Sequence, residues 1–204
     1  MRIAVISPHA DDAIWSVGEH MLSRPDDRFT ILNVCGEIPP ARTGFAEKYE
    51  TLLAEHEEAC IRGGWERIDG PFYDDAVRSE SYRSTFSSYL PRWLEGALCG
   101  KLTSVDFFDE WWLPAGIHHP DHINVRLAAF TLTRPSVPFC VYEELPYRVL
   151  YPREAIMRVE GTELTGFGPL GPQLEAKRRL ASVYVSQIGP EVERCIYVPE
   201  RLWR

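Results

Sequence analysis

The chain has 204 residues and a mass of 23.4 kDa, enough for a single domain over residues 1–204 with a sizeable core. Hydrophobic residues make up 45% of it and charged residues 25%, which excludes a disordered chain, a collagen-like repeat and a coiled-coil rod. The formal net charge of -8 would repel a phosphate backbone or an anionic membrane, so we expect a small-molecule partner rather than nucleic acid.

The cysteines and the N-terminus bear on the cellular compartment. Five cysteines, with no C-x-x-C pair, indicate neither a disulfide framework nor a structural zinc knot. The first apolar run is short and is followed at once by polar residues, unlike a signal peptide. No stretch approaches the roughly 20 apolar residues of a membrane span. We therefore expect a cytoplasmic protein that does not contact membranes.

Strand and helix patterns alternate in the first half of the chain. A continuous apolar run bounded by Pro8 predicts a buried strand over residues 2–7. A helix follows from Ala13, where apolar residues recur at helical spacing. The next predicted elements are a strand over 29–34, a long helix that ends at Gly63-Gly64, a weak strand over 65–68 and a helix over 82–98.

The second half continues the alternation. It predicts a strand over 105–108, a helix with Ile123, Leu127 and Phe130 on one face, and a strand over 137–142. Residues 145–172 are irregular and could fold as a hairpin or flap, and a final helix is predicted over 173–188. We expect a three-layer, Rossmann-like α/β sandwich with a mostly parallel sheet, in which functional groups gather at the carboxyl ends of strands.

Polar residues follow the first predicted strand directly. His9, Asp11 and Asp12 lie within four residues between that strand and the first helix, where a metal or a proton could be handled. The structural alternative is that Asp12 only caps the helix, because an aspartate accepts hydrogen bonds from free N–H groups at that position. That alternative leaves His9 unexplained.

A second cluster precedes the helix that contains Ile123. Three of the six histidines, His118, His119 and His122, fall within five residues, with Asp121 among them. One such histidine would usually be a turn or core residue, but a carboxylate beside an imidazole can orient its second nitrogen for metal or acid–base work. Because both clusters are expected at strand ends, we predict one joint site.

The types of residue in the two clusters favour a catalytic zinc ion. Two imidazoles and one carboxylate, with a fourth position left for water, are typical of catalytic rather than structural zinc. His9 and Asp12 can supply a nitrogen and an oxygen from the first loop, and the second loop can supply another imidazole. An aspartate and a histidine then remain for proton transfer in a hydrolase.

The two motifs resemble those of the PIG-L/LmbE-like zinc-dependent N-deacetylases, which read P-H-x-D-D-E and H-x-D-H. The resemblance implies that His9, Asp12 and His122 bind Zn²⁺, or another divalent metal in its place. It also implies that Asp11 is the general base, and that His119, supported by Asp121, stabilises the oxyanion or protonates the amine. Weaker similarities cover much of the remaining chain, at residues 75–78, 142–147 and 177–187.

The chain departs from the family pattern at two points. The glutamate usual after the paired aspartates is Ala13, which removes a carboxylate from the first loop. The arginine that many members carry on the second helix to hold substrate has no clear match, because Leu52 and Leu53 occupy that region.

The function that the resemblance implies is removal of an N-acetyl group from a small molecule that contains an amino sugar, with no nucleic-acid partner. The enzyme would hydrolyse a C–N bond other than a peptide bond, and a homo-oligomer is compatible with the sequence. A metal-dependent amidase or phosphoesterase acting on another small molecule is one alternative, although phosphoester sites prefer carboxylate-bound magnesium. A non-catalytic sugar-binding or metal-binding module is another, but binding alone requires neither Asp11 nor His119.

Several remaining polar and aromatic residues are interpreted structurally. We expect His56 in the core, because it shares the apolar face of its helix, and His20 in solvent. His118 should point away from His119. Trp111 and Trp112 should pack in the core rather than form a sugar platform. One carboxylate of the pair Glu143 and Glu144 could face the site.

Overall fold

A computed structural model describes residues 1–98, 108–132, 137–158, 163–164 and 173–204. The strands in this part of the chain are β1 (Arg2–Ser7), β2 (Arg28–Asn33), β3 (Glu66–Asp69), β4 (Glu110–Pro114), β5 (Phe139–Tyr142), β6 (Glu163–Leu164) and β7 (Leu202–Trp203). The α-helices are α1 (Asp12–Leu22), α2 (Ala46–Gly63), α3 (Glu80–Leu98), α4 (Pro120–Leu132), α5 (Tyr147–Leu150), α6 (Pro152–Arg158), α7 (Leu174–Ala181) and α8 (Pro190–Cys195).

The strands form one sheet in the order β3-β2-β1-β4-β5-β7-β6. The five strands from β3 to β5 are parallel, whereas β7 runs antiparallel to β5 and β6 antiparallel to β7. The chain adds β2 and β3 on one side of β1 and then returns to place β4 on its other side. The strand order therefore reverses between β1 and β4, where the loops at the carboxyl ends diverge and leave a crevice.

Helices cover both faces of the sheet, which confirms the predicted three-layer α/β sandwich. Alternate residues of β1 point to opposite faces: Ile3 and Val5 join a core with α1, α2 and α7, whereas Ala4 and Ile6 join a core with α3 and α4. Because β1 is buried on both faces, its sequence is a continuous apolar run rather than an alternating one.

Some predicted elements lie elsewhere along the chain. Residues 105–107 of the predicted fourth strand fall outside the described residues, and the strand that is present is β4, a few positions later. The helix predicted over 173–188 ends at Ala181, and α8 and β7 follow it. In α4, Leu127 is exposed and the buried apolar face instead carries Val125 and Ala128. Within the region predicted as a hairpin or flap, the described residues include α5 and α6.

His20 is buried, contrary to the expectation that it would be solvated. Its Nδ1 lies 2.7 Å from Glu200, whose other carboxylate oxygen lies 2.6 Å from the buried ammonium of Lys177. The pattern of apolar residues in α1 cannot predict this contact, because Glu200 is 180 residues away in sequence. The cluster joins α1, α7 and the segment before β7.

Both tryptophans of β4 are core residues, as expected. Trp111 packs in the core beneath α3 and α4, and Trp112 in the core beneath α1 and α2. His56 is also buried, and its Nδ1 lies 2.9 Å from the hydroxyl of Tyr184. Among the described helices, none combines the length and the apolar character needed to cross a membrane.

Candidate metal centre

Ser7 shapes the loop between β1 and α1. Its hydroxyl donates to the carbonyl oxygen of His9 at 2.6 Å and accepts from the backbone N–H of Ala13 at 3.0 Å, which caps the start of α1. Asp12 therefore does not act as the cap. Its Oδ2 accepts from the backbone N–H of His9 at 2.8 Å, and this bond turns the carboxylate back over the end of β1.

Three side-chain atoms from the two loops form a nearly equilateral triangle. Asp12 Oδ2 lies 3.2 Å from His9 Nδ1 and 3.1 Å from His122 Nε2, and the two nitrogens are 3.2 Å apart. His122 and Asp12 are buried, and His9 is mostly buried. The structure thus brings together the three residues predicted to be metal ligands, at the reversal of strand order between β1 and β4.

The size of the triangle fits one face of a zinc tetrahedron. Zinc binds nitrogen and oxygen ligands at about 2.0–2.1 Å, so a regular tetrahedron of ligands has edges of about 3.3–3.4 Å. A ring nitrogen of His119 also lies within 4.8 Å of nitrogens of His9 and His122. The separations within the triangle are shorter than that limit, so Asp12 fits the edge length of a zinc tetrahedron at least as well as His119 does.

A carboxylate stands behind each imidazole of the triangle. Glu144 Oε1 lies 3.2 Å from His122 Nδ1, and Asp121 Oδ2 lies 3.0 Å from His9 Nε2. Each carboxylate can hold a proton on the outer ring nitrogen and so leave the inner nitrogen free as a ligand. Carboxylates in these positions are typical of the residues that surround metal ligands in proteins.

Asp121 differs from what the resemblance implies. Its carboxylate lies 4.0 Å from His119 Nδ1, too far for a hydrogen bond, and contacts His9 and Arg78 instead. The reason is that Asp121 occupies the first turn of α4 with a fully buried side chain. Only its backbone N–H reaches His119, donating to Nδ1 at 3.2 Å.

That backbone bond defines the protonation of His119. Because an N–H can only donate, Nδ1 must be unprotonated and neutral His119 carries its proton on Nε2. Burial, together with the positive charges of His9 and His122, lowers the pKa of His119 to about 4. His119 is therefore a neutral hydrogen-bond donor at pH 7.

Asp11 lies beside the triangle without being part of it. Burial and the neighbouring charge of Asp12 raise the pKa of Asp11 to about 6, whereas the charges of His9 and His122 hold the pKa of Asp12 far below its usual range despite burial. The pKa values of these two adjacent aspartates are thus shifted in opposite directions, which would let one act as a proton acceptor and the other stay charged.

The loop between β4 and α4 contains two residues with positive φ angles, Gly116 and His118. Gly116 has φ of 75°, and a Cβ there would lie 3.0 Å from the side chain of Arg126. Its N–H donates to Glu144 Oε1 at 2.6 Å, so the glycine also fixes the carboxylate behind His122. His118, with φ of 60°, turns outward and stacks on Tyr151 at 3.5 Å between ring centroids.

A cavity of about 200 Å³ opens beside the triangle. Asp11, His119 and one edge of the triangle line it, together with residues that sequence analysis did not assign to a site: Trp15, Lys48, Asp74, Tyr147, Gln187 and Val192. Leu52, which stands where the resemblance to the deacetylases implies an arginine, also lines the cavity. Lys48, one helical turn earlier, is the sole lysine or arginine among the described lining residues.

Nothing in the local pattern around Lys48 distinguishes it from the other charged residues of α2. Asp74 had a weak signal, because it directly precedes the segment 75–78 that is similar to the deacetylase family. Of the two glutamates after β5, Glu144 contacts a triangle residue, whereas Glu143 lies 3.0 Å from the indole nitrogen of Trp203. Neither glutamate is among the residues that line the cavity.

No family model matches the sequence, and no curated protein matches it. Solved structures do share its fold. The zinc-inhibited form of teicoplanin deacetylase Orf2 superposes with a TM-score of 0.79 at 18% identity, covering 100% of this chain and 97% of that one. The A40926 pseudoaglycone deacetylase Dbv21 gives a TM-score of 0.72 at 19% identity, covering 99% and 96%.

A third structure, N,N'-diacetylchitobiose deacetylase from Pyrococcus horikoshii in complex with its inhibitor MPG, gives a TM-score of 0.53 at 14% identity. The match covers 95% of this chain and 73% of that one. The chain therefore has the α/β fold of these deacetylases, in agreement with the fold predicted from the alternation of strands and helices.

Proposed function

We propose that this chain is a zinc-dependent hydrolase that removes an N-acetyl group from a small molecule containing an amino sugar. The observation that carries the proposal is the triangle of His9, Asp12 and His122 beside Asp11 and His119 at the wall of one cavity. The fold shared with deacetylases of teicoplanin, A40926 pseudoaglycone and diacetylchitobiose supports this class of substrate.

In this proposal the zinc ligands are His9 Nδ1, Asp12 Oδ2 and His122 Nε2. The donor set of two nitrogens and one oxygen, with edges close to those of a zinc tetrahedron, fits a catalytic site with one open position. A bound zinc ion supplies positive charge that acidifies a water molecule and polarises the amide carbonyl.

The remaining steps fall to two residues of the chain. The Asp11 carboxylate takes a proton from the attacking water while the new C–O bond forms at the amide carbon. The Nε2–H of His119 donates to the carbonyl oxygen as it gains negative charge. When the C–N bond breaks, the protonated Asp11 gives its proton to the departing nitrogen, so acetic acid and a free amine are formed. The acid then loses its remaining proton to become acetate. His119 keeps its Nε2 proton in every step.

Replacing His119 with alanine tests its role as a donor. We expect kcat to fall on the order of 10²- to 10³-fold with little change in KM, because the hydrogen bond strengthens as charge develops on the oxygen. Steady-state kinetics measure both constants. His118→Ala is the matched control, since this neighbour points away from the cavity, and it should leave both constants close to wild type. A His119→Ala enzyme with normal kcat and raised KM would make His119 a substrate-binding residue instead.

The proposed substrate is an N-acetylglucosamine unit carried on an aglycone. The cavity has apolar surface for a second group beside the sugar, at Trp15, Leu52, Leu145, Pro146 and Val192. Lys48 offers a cation one helical turn from the place where the family arginine is missing. We also propose a cytoplasmic setting, supported by the buried cysteines Cys35, Cys60 and Cys140, which form no disulfide.

The experiment is hydrolysis by the zinc-loaded protein of a series of N-acetylated sugars, read by release of both amine and acetate. We expect a higher kcat/KM for N-acetylglucosamine glycosides with an aglycone than for the free sugar. Equal values with and without the aglycone contradict the proposed substrate. Activity on phosphoesters alone contradicts the deacetylase, and zinc binding without turnover of any amide supports a binding module.

A further inference from the structure

Arg78 is buried directly behind the candidate metal centre, on the far side of Asp121. Its side chain is 1% exposed and that of Asp121 is fully buried. Arg78 precedes α3 and follows the loop that carries Asp74 into the cavity. An arginine is rarely buried to this degree unless its donors are paired.

All three nitrogens of the guanidinium have assigned partners. Nη1 donates to Asp121 Oδ1, Nε to the carbonyl oxygen of Tyr73, and Nη2 to Cys35 Sγ at 3.2 Å. The guanidinium carbon of Arg78 lies over the Phe86 ring, 3.5 Å from the ring centroid. Three hydrogen bonds and the contact with the Phe86 ring therefore fix the plane and the position of the guanidinium.

The other oxygen of Asp121 faces the metal centre. Oδ2 lies 3.0 Å from His9 Nε2 and accepts from the backbone N–H of Asp75 at 2.9 Å. The carboxylate thus has one oxygen held by Arg78 and the other directed at His9. A rotation of the carboxylate that broke the contact with Arg78 would also move Oδ2 away from the imidazole.

We propose that Arg78 is a positioning residue for the metal centre, acting through Asp121 to orient the imidazole of His9. The inference rests on the proposed function, because it takes His9 Nδ1 as a zinc ligand. The charge of Arg78 alone would repel a divalent cation, so its contribution to zinc binding is the geometry of its planar, forked donors.

Arg78→Lys separates geometry from charge. Lysine keeps the positive charge but is a point donor that cannot reach Asp121, Tyr73 and Cys35 together. We expect the zinc dissociation constant, measured by competition with a chromophoric chelator, to rise about 10- to 100-fold, the range for outer partners of metal ligands. The visible spectrum of the cobalt-substituted protein should also change, because it reports the coordination geometry.

A double-mutant cycle with Asp121→Asn tests whether Arg78 acts on His9 through Asp121. If Arg78 acts through Asp121, adding Arg78→Lys to Asp121→Asn should change the zinc dissociation constant by less than about threefold. Lys177→Met is the matched control: it breaks another fully buried ion pair, with Glu200, and should lower thermal stability without changing zinc affinity or the cobalt spectrum.

The outcomes separate this inference from the proposed function. Wild-type protein that fails to bind zinc contradicts both. Two results contradict the positioning role alone, provided that the wild-type protein binds zinc. One is a zinc dissociation constant of Arg78→Lys within twofold of the wild-type constant. The other is a double variant in which the effects of the two substitutions on the zinc dissociation constant multiply. If Arg78→Lys does not fold, Phe86→Leu replaces it. That variant keeps every charge and removes the ring against the guanidinium, and it too should weaken zinc binding by more than twofold.

Discussion

Replacing His122 with alanine is expected to abolish stable zinc binding and, with it, hydrolysis. His122 Nε2 is one corner of the triangle, and its side chain is fully buried with Glu144 behind it. Loss of a ligand should weaken zinc affinity by more than about 100-fold, the upper end of what a change in an outer partner produces. Metal analysis of the purified protein and competition with a chelator measure the effect.

His118 provides the control, because it belongs to the same loop and carries the same group. Its ring is partly exposed and stacks on Tyr151, away from the triangle. His118→Ala should retain about one zinc per chain and wild-type affinity. Full metal content in His122→Ala would mean that the ligand set has been assigned wrongly.

Asp11→Asn is expected to keep zinc and to lose roughly 10²- to 10⁴-fold in kcat, the range for removal of a general base. The substitution conserves shape but removes the group that takes the proton. Burial and the charge of Asp12 raise the pKa of Asp11 to about 6 in the protein without metal, and a bound cation lowers it from there. Since a base acts when deprotonated, wild-type activity should fall as the pH falls through the Asp11 pKa.

Asp12→Ala is the matched variant at the adjacent position, and it should lose the metal itself. Metal content and single-turnover kinetics on both variants distinguish a base from a ligand. If Asp11→Asn loses zinc and Asp12→Ala keeps it, the roles of the two aspartates are reversed.

The fold was predictable where local pattern and burial agree. The apolar run of β1 is buried on both faces, and the predicted bounds match the strand. The prediction was less accurate where tertiary partners decide the outcome. His20 is buried against Glu200, which lies near the C-terminus. The helix predicted to be the last one is α7, which ends at Ala181, and the chain then forms α8 and β7.

The site was predictable to the extent that its residues form short motifs. His9, Asp12 and His122 meet because β1 and β4 are adjacent parallel strands. The alternating pattern predicts a parallel sheet, but it does not predict which strands are neighbours. Local spacing does not reveal which carboxylate supports which imidazole. Asp121 is two residues from His119 in sequence, yet its side chain contacts His9, 112 residues away, because the first turn of α4 faces the end of β1.

The contacts within the triangle make metal uptake an exchange for protons. Burial lowers the pKa of His122, but the charges of Asp12 and Glu144 outweigh it and raise the pKa to about 9, and the pKa of His9 is also raised by its carboxylate partners. The metal-free centre therefore retains at least one proton at neutral pH that a cation must displace. Apparent zinc affinity should then fall about tenfold for each unit by which the pH is lowered, for every proton that the metal displaces. In the proposed zinc enzyme, lowering the pH should therefore release the metal, and raising the pH with zinc present should restore it.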